Sequence, residues 1–171
     1  FNDEQKSEHL KGLLLRCREQ NAIPIVNYND AVSSEENRRM EILALQHDKK
    51  RVFECVDNDE TASRIACLVR ARSLVIFTSV DGIYLNPDDP ATLVKSISGK
   101  DAYELLENIE EYKKYCIGAS RAGANGAKAK LEYVKDAAAQ GTTVYIASAK
   151  YSIAAVLSGD VPCTKIGIGL K

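Results

Sequence analysis

Four consecutive residues, Asp57, Asn58, Asp59 and Glu60, put three carboxylates and an amide directly ahead of a segment in which Ala62, Ile65, Ala66 and Val69 recur at helical spacing. Asp57 stands at the N-cap position and Glu60, three residues later, completes a capping-box spacing. The acids therefore sit at the outward end of a helix whose apolar stripe is expected to be fixed in a core. Taken alone, such a cluster does no more than complement the helix dipole. Three further stretches give it company. Asn27-Tyr28-Asn29-Asp30 follows the apolar run Ile23-Pro24-Ile25-Val26, which has the form of a buried parallel strand. Thr78-Ser79-Val80-Asp81-Gly82-Ile83-Tyr84 follows a second such run, Leu74 to Phe77, with Gly82 expected to supply a positive φ. Both place amide, hydroxyl or carboxylate groups at the C-terminal end of a strand, where open α/β sheets bind ligands. Each is also compatible with an ordinary polar turn held by Asx-type hydrogen bonds. The last stretch, Gly118 to Lys130, is small, glycine-rich and basic, and it leads into a helix with the stripe Ala127, Leu131, Val134 and Ala138. Backbone N–H groups and a dipole's positive end suit phosphate there, although the spacing is neither a Walker A nor a dinucleotide fingerprint.

The elements that must position these groups alternate regularly. Residues 3–20 read as an amphipathic helix with Leu10, Leu13, Leu14 and Cys17 on one face and a stop at Asn21. Ser34 could cap a helix through Leu45, and Arg51 to Val56 reads as a strand entering the acidic helix, which ends near Ala71. Asn86 to Pro90 is a loop, Leu93 to Ile97 a brief strand, and Asp101 caps a helix through Asn108. Gly141 stops the helix after the basic loop; a strand over residues 142–147, a short helix over 151–157 and a last strand over 164–170 follow. This pattern predicts an α/β fold, a three-layer α/β/α sandwich around a mostly parallel sheet.

Composition narrows the function. The chain has 171 residues, 45% of them hydrophobic and 27% charged, enough to bury one full core. A net charge of -1 gives no electrostatic footprint for nucleic acid or an anionic membrane, so any phosphate recognition is local. Five scattered cysteines without a C-x-x-C pair, and two histidines out of reach of a zinc set, fit reduced thiols in a cytoplasmic protein. No apolar run approaches a membrane span or a signal-peptide core. A start at Phe1 and a single internal methionine, Met40, suggest part of a longer protein.

The same stretches carry a likeness. Ile23-Pro-Ile-Val-Asn-Tyr-Asn-Asp30-Ala-Val resembles the V-P-V-I-N-E-N-D-A-V of the amino acid kinase family, within it the glutamate 5-kinases. Val56-Asp-Asn-Asp59 resembles its G-D-N-D, and Phe77 to Tyr84 its L-T-D-x-x-G-L-Y. Gly123-Ala-Asn-Gly-Ala-Lys-Ala-Lys130-Leu resembles its G-T-G-G-M-S-T-K-L. The matches keep the family's order over residues 10–170 and cover the carboxy-terminal two thirds of its kinase domain. Residues 1–171 are accordingly expected to form a single amino acid kinase-like domain lacking its amino-terminal portion.

The resemblance implies transfer of the ATP γ-phosphoryl group, with Mg²⁺, to the side-chain carboxylate of glutamate, the acyl phosphate that opens proline synthesis. It assigns substrate contacts to Asn27, Asp30 and Asn58, and catalytic roles to Asp59, Asp57 and Lys130. Nucleotide contacts fall to Thr78, Ser79, Gly82, Tyr84, Gly123, Ala124, Asn125, Gly126, Ala127, Lys128 and Lys130. No residue is assigned to a metal. It further implies a cytoplasmic homo-oligomer with small-molecule partners and no nucleic acid or membrane. Ser79 stands where the family has Asp, and alanines replace polar residues of the loop. Two alternatives therefore stay open: a uridylate kinase-like enzyme, whose strand end Thr78 to Tyr84 also resembles, and a nucleotide- or amino-acid-binding regulator without turnover.

Overall fold

The computed structural model describes residues 4–27, 58–116 and 126–170. Five α-helices and four strands are seen there: α1 (Glu4–Glu19), α2 (Asn58–Val69), β1 (Ser73–Thr78), β2 (Ser96–Gly99), α3 (Ala102–Tyr115), α4 (Ala127–Ala139), β3 (Thr143–Ser148), α5 (Ile153–Ser158) and β4 (Cys163–Ile168). The expected helix from Ser34 to Leu45 and strand from Arg51 to Val56 lie outside the described residues, as do Asp30, Asp57 and Gly123 to Asn125.

The strands form one sheet in the order β1-β3-β4-β2. β1 runs parallel to β3 from Ser73↔Thr143 to Thr78↔Ser148, β2 runs parallel to β4, and β3 meets β4 antiparallel. Alternation along β3 sorts the layers. Val144 and Ile146 face a core with Ile76, Ile97, Ile166 and the helix residues Leu105, Ile109, Leu131, Val134 and Ala138. Tyr145 and Ala147 face the other way, onto Val156 of α5. Helices thus cover both faces of a mixed, mostly parallel sheet, as the alternating pattern predicts.

Local signals explain most boundaries. Asn21 ends α1 at φ 53, with the Ala22 N–H returned to the Cys17 carbonyl at 2.8 Å. Asp101 caps α3 by accepting from the Glu104 N–H at 2.9 Å. Gly141, at φ 95, follows α4 in the left-handed region. Four expectations need correction. Ile23 to Val26 forms no strand; Ile23 and Ile25 are 90% and 96% exposed, and Pro24 removes a donor that a ladder would need. The strand expected at Leu93 starts at Ser96, because Leu93 is taken by an isolated bridge to Tyr84. The helix expected to stop at Asn108 continues to Tyr115, since Ile109 is fully buried and Tyr112 packs on the same core. The apolar stripe of α2 is not wholly in the core: Thr61, Ser63 and Ala66 are its buried residues, with the Ser63 hydroxyl donating to the Tyr133 carbonyl at 2.6 Å.

Cys17, Cys67, Cys116 and Cys163 are free and half-buried, and burial pushes the last three thiols up, away from thiolate reactivity.

α3 and α4 are clasped by four charges. Lys113 reaches Glu132, and Glu110 at 3.1 Å; Lys135 reaches Glu110, and Glu132 at 2.7 Å. Burial works against the Lys135 ammonium, but Glu110 and Glu132 outweigh it and raise it. The partners' effect is reciprocal: Lys135, then Lys113, hold Glu110 below the ordinary 4.5, and Lys113, then Lys135, hold Glu132 there. A depressed carboxylate stabilises the fold above its unfolded value and loses that contribution as pH falls through the folded one. Acid unfolding followed by circular dichroism should therefore show the stability of the native chain falling below pH 4.5, with a flatter acid limb in Glu110→Gln/Glu132→Gln. Identical acid limbs would show that the clasp has no part in the pH dependence.

Candidate functional site

Topology brings the chemistry to one edge. α2 is joined to β1, and α4 to β3, by only three residues each, and each helix packs against its strand. Each helix therefore runs back along its strand, so its N-terminus lies at the strand's C-terminal end. Because β1 and β3 are parallel, the N-termini of α2 and α4 lie beside the ends of both strands. Asn58, Asp59 and Glu60 begin α2, while Gly126 caps α4 and Lys128 and Lys130 lie in its first turns.

Between the two helices, the Lys130 ammonium donates to Asp59 Oδ2. Both side chains are only 19% exposed, so the pair lies well inside the surface. Two residues 71 apart in sequence, both given catalytic roles by the resemblance, thus meet. Gly126 has φ -66 and ψ -169 and offers no side chain to the first turn of α4, leaving capping of its N–H groups to other partners. Lys128 is exposed at the same end, and Ala127 packs on the core.

The end of β1 forms the neighbouring wall. The Thr78 carbonyl accepts from the Ala149 N–H at 2.9 Å, tying it to the turn after β3, and Ser79 is exposed. Asp81 Oδ1 lies 2.9 Å from Lys150 Nζ as an ion pair without hydrogen-bond geometry; Asp81 in turn raises the Lys150 ammonium, which lies 4.8 Å above the Tyr151 ring. Sequence reasoning missed Lys150; its position just past a strand end was the available signal. Gly82 is not among the glycines with positive φ. It is required for space instead: a Cβ there would stand 2.5 Å from Thr164 Oγ1 and 2.9 Å from the Thr164 nitrogen. Tyr84 is half-buried and bridges to Leu93.

A cavity of about 580 Å³, in the range of small-ligand sites, opens between the segment after α1, α2 and β1. Its polar lining is Asn27, Asn58, Asp59, Thr61 and Ser73; the α2 stripe Ala62, Ile65, Ala66 and Val69 supplies much of the rest. Asn27 and Asn58, both expected at substrate, therefore share one cleft with Asp59. Asp30, Asp57, Gly123, Ala124 and Asn125 lie outside the described residues.

Two like helix poles carry roughly half a positive charge each, and Lys128 and Lys130 add to them against Asp59 and Glu60. Among the described residues no group of three or more His, Cys, Asp or Glu could hold a metal ion.

Known proteins share this arrangement of sequence. A model of the amino acid kinase family matches residues 1–148. The chain is 33% identical over 132 residues to a glutamate 5-kinase of Clostridium perfringens, covering 76% of this chain and 42% of that protein. A glutamate 5-kinase of Idiomarina loihiensis is 28% identical over 173 residues, 96% of this chain and 39% of its own length. The chain thus spans less than half the length of these relatives. A crystal structure from Aeropyrum pernix, 21% identical, superposes with a TM-score of 0.50 over 68% of this chain and 34% of that one, which shows a shared fold.

Removing one charge of the Asp59–Lys130 pair should leave the other poorly solvated. Asp59→Asn is expected to cost about 1–2 kcal/mol, between an exposed pair and a buried one, with much of it recovered in Asp59→Asn/Lys130→Met. Urea denaturation of the four proteins of this cycle reads the coupling directly. Strict additivity would mean that the two side chains do not interact in solution.

Proposed function

Because the chain belongs to the amino acid kinase family, we propose that it forms part of the kinase domain of an ATP-dependent enzyme that phosphorylates the side-chain carboxylate of glutamate, the acyl phosphate that opens proline synthesis. One observation carries this reading: the Lys130–Asp59 pair set between two like-oriented helix N-termini at the C-terminal edge of the sheet. The glutamate 5-kinase relatives support the choice of acceptor.

Phosphoryl transfer needs positioning and charge neutralisation more than covalent help. In this proposal Lys130, oriented by Asp59, meets the charge on the transferred phosphoryl group, and the first turn of α4 with Lys128 receives the nucleotide phosphates. Thr78, Ser79, Gly82 and Tyr84 form the adjoining wall, with Gly123 to Ala127 completing the loop. Asn27, Asp30 and Asn58 hold the amino acid, and Asp57 stands beside Asp59. No general base is needed, since a glutamate carboxylate is ionised at neutral pH. Magnesium would neutralise phosphate charge and enter with the nucleotide, which suits a hard cation that keeps its waters and binds mainly phosphate oxygens. The proposal includes a homo-oligomer working in the cytoplasm; among the described residues no helix is long and apolar enough to cross a membrane.

A coupled ATPase assay on the protein at the full length its gene encodes, with glutamate, UMP or no acceptor, tests the assignment. Turnover only with glutamate is expected. Preference for UMP would favour a nucleotide kinase, and ATP binding without any turnover a regulator. Lys130→Ala should lower kcat by about 10²–10³-fold, as for loss of a transition-state donor, with a smaller change in the KM for ATP. An unchanged kcat would remove Lys130 from the mechanism.

A further inference from the structure

Thr164, at the start of β4, lies far along the chain from every residue assigned to the site, yet it is completely buried. Its hydroxyl accepts from the Ile83 N–H at 2.8 Å and donates to the Val94 carbonyl at 2.6 Å. The Val94 N–H in turn donates to the Ile83 carbonyl at 2.8 Å, so one side chain closes both ends of the excursion that leaves β1 and returns to β2. Independent evidence of this fixed register comes from Gly82, packed so closely on Thr164 that a Cβ would overlap Oγ1.

We propose that Thr164 is a positioning residue for the nucleotide wall: its hydroxyl fixes Ile83, and with it the turn from Thr78 to Tyr84, at the C-terminal edge of the sheet. This rests on the kinase reading above. The chemistry is specific to a hydroxyl. Valine has the same shape but can neither accept from Ile83 nor donate to Val94, which leaves a buried N–H and a buried carbonyl without their partner. Serine restores both hydrogen bonds and loses only a methyl group. An error at Ile83 is passed two residues back to Asp81 and on to Ser79, on the nucleotide side. Asn27 and Asn58 border the cleft lined by α2 and β1, whose lining ends at Phe77, before this turn.

The test measures ATP and glutamate affinity by calorimetry in the full-length wild type, Thr164→Val and Thr164→Ser, with amide exchange at Ile83 and Val94 as the structural readout. Thr164→Val is expected to weaken ATP binding about tenfold, the scale of one lost buried hydrogen bond. Glutamate affinity should be unchanged, Ile83 exchange faster, and Thr164→Ser close to wild type. Equal losses for ATP and glutamate would mean general destabilisation and overturn the proposal, as would faster exchange with unchanged ATP affinity. A wild type that binds ATP but does not phosphorylate glutamate would sink the proposed function, while the ATP ratio would still decide the role of Thr164.

Discussion

Like poles of two helices brought side by side repel, and this constraint governs the ligand edge of the molecule. α2 and α4 point the same way because each precedes one of two parallel strands by a tight turn. Their N-termini therefore concentrate positive potential at one place. Lys130, in the first turns of α4, makes the imbalance worse, and Asp59 on the opposite helix offsets it by accepting from that ammonium. Nearby, the Ser63 hydroxyl of α2 donates to the Tyr133 carbonyl of α4, a second contact between the two helices. The edge also carries Lys128, and Gly126 gives the first turn of α4 no side-chain cap. In the proposed function fixed dipoles would supply phosphate recognition locally, so that a chain of net charge -1 needs no basic surface for it.

Beside this edge, tolerance is set by distance rather than by charge. Gly82 is pressed against Thr164, whose hydroxyl is shared between Ile83 and Val94. The turn after β1 is thereby held by β4, which is not its neighbour in the sheet. Along β1 the cleft is lined mostly by apolar residues, with Asn27, Asn58 and Asp59 among its few polar groups. One strand end thus separates a tightly fixed wall from an open one.

Much of this was legible in the sequence because local chemistry and tertiary structure agree. Asp101, Asn21 and Gly141 act at the ends where capping rules put them, and the Leu74 to Phe77 run is a strand. Asp59 and Lys130 were both singled out, but no sequence rule joins residues 71 apart; the parallel register of β1 and β3 does that. Failures arise where a local pattern had more than one physical outcome. An apolar run at Ile23 to Val26 resembles a strand until the ladder donor lost to Pro24 is considered. Gly82 invited an explanation by φ, whereas the contact that demands it comes from a residue 82 positions later. Thr164 gave no signal at all, since one threonine in a strand is unremarked until its hydroxyl is seen between two backbone groups.

The sheet order has a consequence for how the molecule holds together. Residues from α2 through β2 and residues from α4 through β4 behave as two interleaved halves, each a helix followed by strands. Many of the contacts that join them have nearly one sequence separation: 71 for Lys130–Asp59, 70 for Ser63–Tyr133, 72 for Arg64–Asp136, and 70 for Thr164–Val94. The ladder β1–β3 belongs to the same set. The Lys130–Asp59 pair and the Thr164 contacts therefore lie on a seam and need both halves, whereas the cleft around Asn27 and Asn58 is lined by the first half and the segment before it. The integrity of the seam is thus a property of how the two halves dock, while the cleft lies to one side of it.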